Sequence, residues 1–162
     1  MKKLLTIALL LVGLTASAQG KWTVSHRKAD PMKNQDARDV YIYESPGIGS
    51  VVVWDWDKAD FRLITEREPF YVQYSGGMRI VPIRAGLYDE RGNLGKMYDI
   101  QLVPEENTNN RWITTSGFYY FGRGNIRKVM KHMKSGKGYV RFLGTLYNNN
   151  DFDINVRPYQ TK

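Results

Sequence analysis

Alternation of apolar and polar residues is the main pattern along this chain, and it predicts short β-strands. Alternating segments, or short runs of β-branched and aromatic residues, occur at residues 21–26, 40–43, 51–54, 61–66, 70–75, 78–88, 98–102, 112–121, 139–146 and 152–157. Turn-forming residues separate them about every 8–12 residues, which is typical of antiparallel sheets. We therefore predict a mainly β chain folded as an antiparallel β-sandwich, and the pattern alone fits a closed barrel as well.

Three positions predict how the strands are connected. Gly76 and Gly77 predict a two-residue hairpin turn, because glycine readily adopts positive φ. The polar segment at residues 89–93 predicts a second hairpin turn. Pro82 lies inside the long strand segment at residues 78–88, and proline has no N–H to donate to a neighbouring strand. It therefore predicts a bend or a sheet edge at that position.

One segment follows the period of a helix instead. Its apolar residues are spaced by three and four positions: Ile126, Val129, Met130 and Met133. This spacing predicts an amphipathic helix near the C-terminus, with Asn125 as its N-cap and Gly136 at its end.

The first eighteen residues predict an export signal. Two lysines precede an apolar run over residues 4–14, and the small residues 16–18 form a cleavage site. The run is shorter than the about 20 residues of a membrane-spanning helix. We therefore expect residues 1–18 to be removed and residues 19–162 to form a single domain that is periplasmic or secreted, with no transmembrane segment after cleavage.

The chain contains no cysteine, although exported proteins usually enter an oxidising compartment. Packing must therefore stabilise the fold without disulfides, and thiolate or redox chemistry by cysteine is excluded. The chain also lacks an Asn-x-Ser/Thr sequon, which favours a bacterial origin.

Positive charge is concentrated in one stretch of the chain. Of 24 basic residues, Lys2 and Lys3 lie in the predicted signal, and the 22 that remain exceed the 16 acidic residues by six. The stretch from Arg123 to Arg141 contains seven basic residues and no acidic one. The rest of the mature chain is therefore almost neutral, and the basic stretch is the main candidate for a binding surface.

Two interpretations of this basic stretch remain open. In the first, the basic residues keep the outer face of a packed helix in water, and the helix is structural. Alternatively, they bind an anionic partner, such as lipid headgroups, an acidic glycan or an acidic protein. The candidate partner-binding residues are Arg123, Arg127, Lys128, Lys131, Lys134 and Lys137. We expect no nucleic-acid partner, because export separates the protein from most nucleic acid.

A second candidate site is the sequence Trp54, Asp55, Trp56 and Asp57. If both aspartates lay on one strand, their carboxylates would share a face about 6–7 Å apart. Paired carboxylates beside tryptophans are typical of proteins that bind or hydrolyse carbohydrate. The alternative is a strand end followed by an aspartate-rich turn, with the tryptophans packed into the fold.

Other chemistry has little support in the sequence. The two histidines, His26 and His132, are far apart and have no second ligand at metal-binding spacing. No Gly-x-Ser-x-Gly elbow or complete phosphate-binding loop occurs. We therefore predict no metal, no cofactor and no catalytic residue.

Two segments resemble a known group of proteins. Trp22-Thr23-Val24 followed by Asp30-Pro31-Met32 is similar to the opening of small exported bacterial β-sandwich proteins of uncharacterised function, of which the VasI-like periplasmic accessory proteins of type VI secretion are the nearest named group. The later layout, a helix followed by Val140-Arg141 and Phe152-Asp153-Ile154, resembles their C-terminal half. The resemblance implies a sandwich with one helix and a non-enzymatic accessory or binding role. Cysteines common in that group are absent here.

These observations predict a non-catalytic exported binding or accessory protein of the bacterial cell envelope. Its expected partner is an envelope protein or an anionic surface that contacts the basic helix. The alternative function is the binding or hydrolysis of carbohydrate at residues 54–57.

Overall fold

The computed structural model describes residues 20–33, 35–105, 111–114 and 123–160. The predicted signal at residues 1–18 and part of the strand predicted at residues 112–121 lie outside these ranges. The described strands are β1 (Lys21–Arg27), β2 (Arg38–Ser45), β3 (Gly49–Asp55), β4 (Asp60–Thr65), β5 (Gln73–Ser75), β6 (Met78–Tyr88), β7 (Leu94–Pro104), β8 (Arg111–Thr114), β9 (Tyr139–Thr145) and β10 (Asp151–Val156). A short 3₁₀ turn covers Pro31–Lys33, and one α-helix, α1, covers Arg123–Lys134.

The strands form a mainly β, antiparallel fold, as the alternation predicts. Nine strands are paired in the order β1-β2-β3-β4-β8-β7-β6-β9-β10, and β5 pairs with β6. β1 and β10 lie at the two ends of this order and do not pair with each other, so the fold is a sandwich rather than a closed barrel. Among the described residues, no helix is both long and apolar enough to cross a membrane.

The core lies between the two halves of this strand order. Phe61 on β4 stacks on Phe142 on β9, with ring centroids 5.8 Å apart, although several strands separate β4 from β9 along the sheet. Phe70 contacts Phe152 edge-on at 4.8 Å. All four rings are buried. The sheet must therefore fold back on itself, so that apolar faces of distant strands meet.

Helix α1 covers one part of this core. Its predicted apolar residues are all buried and belong to the main hydrophobic cluster: Ile126, Val129, Met130 and Met133. The helix packs against β9, β7 and β6. The prediction that Asn125 is the N-cap is wrong, because the helix begins at Arg123 and places Asn125 in its first turn. Gly136 has a positive φ of 76° and follows the helix end as predicted.

Two local predictions are confirmed and one is corrected. Gly76 and Gly77 both have positive φ in the turn between β5 and β6. Pro82 pairs with Gln101 of β7 on one side of β6. On the other side, residues 78–80 pair with β5 and residues 84–88 pair with β9, so Pro82 lies between the two partners. Its missing N–H is therefore accommodated at a local edge. The strand predicted at residues 70–75 is shorter, since only β5 is regular there.

The segment after β10 connects the helix to the start of the sheet. The Tyr159 N–H donates to the carbonyl oxygen of Met133 at 2.8 Å. The Trp22 Nε1–H on β1 donates to the carbonyl oxygen of Arg157 at 2.7 Å. The C-terminal segment therefore crosses the gap between β10 and β1, although it adds no strand there.

Candidate functional site

The basic residues of α1 lie on the face opposite the buried stripe. Five of the six predicted partner-binding side chains are described, and all five are exposed: Arg127, Lys128, Lys131, Lys134 and Lys137. The side chain of Arg123 lies outside the described part. Within the described residues, none of the five forms an ion pair, and Lys128 Nζ lies 5.5 Å from the centre of the Tyr98 ring. The surface therefore carries positive charge that forms no ion pair with an acidic side chain of the described chain.

Helix stability does not account for all of these charges. Cations near the C-terminal end, such as Lys131 and Lys134, interact favourably with the helix dipole, whereas Arg127 near the start gains nothing from it. His132 is turned away from the basic face, because its Nε2 lies 3.0 Å from the carbonyl oxygen of Tyr88. The basic face is therefore formed by Lys and Arg alone.

The predicted carbohydrate site is divided between two places in the structure. Trp54 lies among three arginines, with the guanidinium carbons of Arg27, Arg38 and Arg62 at 4.3, 4.6 and 4.3 Å from its ring centre. These are cation–π contacts, which help to stabilise three neighbouring positive charges. A ring in contact with three guanidinium groups offers little free surface for a sugar.

Trp56 belongs to a different, aromatic cluster. Its ring lies 5.9 Å from Trp22, 5.6 Å from Tyr41 and 6.2 Å from Tyr159. A β-bulge between Val53 and Asp55 disturbs the regular alternation at the end of β3. Trp54 and Trp56 consequently share no ring contact, although two residues that are two positions apart on a regular strand would lie side by side.

The two aspartates do not lie on one strand, so the prediction of paired carboxylates on a shared strand face is wrong. β3 ends at Asp55, and Asp57 lies in the following turn. The Asp55 Oδ1 accepts hydrogen bonds from the backbone N–H groups of Asp57 and Lys58, both at 2.9 Å. Asp55 therefore stabilises the turn, which matches the alternative interpretation of a strand end followed by an aspartate-rich turn.

A cleft of about 990 Å³ lies along the gap between β1 and β10. Three aromatic side chains contribute to its lining, namely Trp22, Tyr43 and Tyr139. Burial raises the pKa of Tyr43 above its ordinary value, so this phenol stays protonated at neutral pH. Sequence reasoning missed this cleft, because its walls come from segments that lie far apart in the chain and no local motif connects them.

One wall of the cleft contains a strong ion pair. Arg141 Nε and Nη2 donate to the two carboxylate oxygens of Asp153 at 2.9 and 2.6 Å. Hydrogen bonds with Asp153 and then with Tyr88 raise the pKa of Arg141 above its ordinary value. The Tyr88 ring stacks on Tyr139, with centroids 4.6 Å apart. This fork-like pair fixes Asp153 and leaves it little freedom to act as a catalytic acid.

Neither metal chemistry nor a known relative adds to this description. The described residues contain no group of three His, Cys, Asp or Glu side chains placed to hold a metal ion. His26 instead contacts Asp39 at 2.6 Å on an exposed part of β1. Comparisons with protein-family models, with curated proteins and with solved structures find no match for this chain.

Proposed function

We propose that this protein is a non-catalytic exported binding or accessory protein of the bacterial cell envelope. It works in the periplasm or after secretion, and it contacts an envelope protein or an anionic surface through the basic face of α1. The anionic surface is a lipid headgroup layer or an acidic glycan.

The observation that supports this proposal best is the uncompensated charge of α1. Four exposed cations, Arg127, Lys128, Lys131 and Lys134, project from a helix whose opposite face is fixed in the core, so they are held on one rigid surface, and Lys137 follows the end of the helix. A rigid array of cations attracts anions at longer range than scattered charges do, and the attraction weakens as salt screens it.

The carbohydrate alternative receives no comparable support from the geometry. The Trp54 ring contacts three guanidinium groups, Trp56 packs among other aromatic rings, and the Asp55 carboxylate is engaged in a turn. These groups do not converge on one cleft. We therefore propose the basic face of α1 as the site.

Reversing two charges on this face should weaken binding to anionic vesicles. Each basic residue near an anionic membrane contributes about 1 kcal/mol, so the loss of two should lower affinity about 30-fold, and the reversed charge should lower it further. We therefore expect the variant Lys128→Glu, Lys131→Glu to bind phosphatidylglycerol vesicles at least about 30-fold more weakly in a sedimentation assay. Binding of the unaltered protein should fall as sodium chloride is raised.

The matched control is the variant Lys28→Glu, Arg67→Glu, which makes the same change in net charge at two exposed residues outside α1. It should retain most of the binding. A heparin column tests the acidic-glycan form of the same surface. The proposal is wrong for both anionic surfaces if neither probe binds, or if the two double variants lose binding equally.

A further inference from the structure

The outer edge of β10 is unpaired within the described part of the chain. β10 is the last strand in the order of the sheet, and it pairs only with β9. Its alternate side chains Phe152, Ile154 and Val156 are buried, so the strand is firmly anchored. A rigid strand with an open edge presents backbone N–H and C=O groups to any extended chain that lies beside it.

The hydrogen-bond pattern shows which backbone groups of β10 face outward. The Leu146 N–H donates to the carbonyl oxygen of Asn150 at 2.8 Å, at the start of the β9–β10 ladder. Bonded and non-bonded pairs alternate along an antiparallel ladder. The even-numbered residues of β10 therefore bond to β9, and the backbone groups of Asp153 and Asn155 point to the open edge. Both of these residues line the cleft.

The contact at the end of β10 supports this assignment independently. Arg157 follows in the same alternation, and its carbonyl oxygen accepts the Trp22 Nε1–H across the gap. A donor on the opposite wall thus already reaches the outward edge at one point. Further along the cleft, no described backbone segment pairs with this edge.

We propose that the cleft binds an extended, acidic segment of a partner polypeptide, which pairs with the outer edge of β10 as an added strand. Main-chain hydrogen bonds to Asp153 and Asn155 would hold such a segment, and its alternate side chains would contact the aromatic lining. This proposal rests on the cleft and not on the basic face of α1.

The charges around the cleft favour an acidic segment. Its charged lining residues are Lys21, Asp89, Glu90, Arg91, Asp153 and Arg157. The Asp89 carboxylate accepts hydrogen bonds within its own turn, mainly from Asn93, and these hold its pKa below the ordinary value. Asp153 is paired with Arg141. The three cations Lys21, Arg91 and Arg157 therefore exceed the two remaining acids, Asp89 and Glu90, by one charge, which an acidic side chain on the ligand would balance.

A single substitution on β10 tests the proposal. Asn155→Pro removes an N–H that β9 does not use, so the ladder to β9 stays intact. The probe is a fluorescein-labelled hexapeptide that alternates glutamate and valine, and its binding is followed by fluorescence anisotropy. Loss of one main-chain hydrogen bond should weaken binding about tenfold. The control Asn155→Ala keeps the N–H and should bind within about twofold of the unaltered protein.

A change in the probe keeps the test valid if Asn155→Pro does not fold. The same peptide with every backbone amide N-methylated keeps its charge but has no N–H to donate to a strand edge, and it should bind at least about tenfold more weakly. In hydrogen exchange, the Asn155 amide should exchange quickly in the free protein and slow down when the unmodified probe binds. The Ile154 amide should exchange slowly in both states.

Four results would overturn the proposal. The first is equal binding of the methylated and unmodified peptides. The second is no binding of either peptide. Protection of the cleft residues by a heparin hexasaccharide would then make the cleft a glycan site. The third is a homodimer in sedimentation that Asn155→Pro dissociates, which would make a second copy the occupant. The fourth is loss of peptide binding in Lys128→Glu, Lys131→Glu, which would place the peptide on α1.

Discussion

Replacing Phe142 with alanine should lower the free energy of unfolding by about 3–5 kcal/mol, the usual cost of removing a buried phenylalanine ring. The Phe142 ring is fully buried and stacks on Phe61 from the other half of the sandwich. Its removal leaves a cavity where the two halves meet, and the surrounding strands are held by their ladders and cannot close it. Chemical denaturation followed by tryptophan fluorescence measures the effect.

An exposed aromatic residue provides the control for this prediction. Tyr147 is 70% exposed, so Tyr147→Ala should change the free energy of unfolding by less than about 0.5 kcal/mol. A similar loss for both variants would show that Phe142 does not join the two halves as the structure indicates.

Replacing Gly138 with alanine should destabilise the protein by at least about 3 kcal/mol. Gly138 has a φ of 63°, which disfavours any residue with a Cβ. In addition, a Cβ at this position would collide with the carbonyl oxygen of Tyr88 at the end of β6. The two costs add, because the pairing of Tyr88 with Tyr139 holds the Tyr88 carbonyl close to Gly138.

The variant Gly136→Ala provides a comparison in which only the conformational cost applies. The Gly136 φ of 76° is also positive, but a Cβ there would meet no atom within 4 Å. Gly136→Ala should therefore cost only the about 1–2 kcal/mol of the left-handed conformation. Thermal and chemical unfolding of the two variants should differ clearly, and equal stabilities would contradict the predicted close contact between Gly138 and β6.

Much of the fold could be predicted from the sequence, because local patterns determine most of it. The alternation along β10 and the stripe of α1 each reflect which side chains are buried, and both are confirmed. The short β5 was predicted too long, since residues 70–72 alternate but form only one isolated bridge, between Phe70 and Leu146. The alternation of apolar and polar residues reflects which side chains are buried, and a side chain can be buried without its residue belonging to a regular β-ladder.

The candidate sites show where sequence reasoning fails. The spacing of Trp54 and Trp56 predicts a shared face only on a regular strand, and the bulge at the end of β3 removes that regularity. The cleft joins Trp22 to Arg157, which lie 135 positions apart. Such a contact depends on how the whole sheet folds back, and no short segment encodes it. The basic face of α1, in contrast, could be predicted because one short segment contains it.

The contact between Trp22 and the segment after β10 has a consequence for the order of events during folding. The contact of Trp22 on β1 with Arg157 spans 135 positions, and Tyr159 packs against the same ring. Such long-range contacts are slow to form. A chain in which Arg157 and Tyr159 have not yet packed therefore leaves the Trp22 side of the sandwich uncovered, and this surface is exposed to premature association until they do.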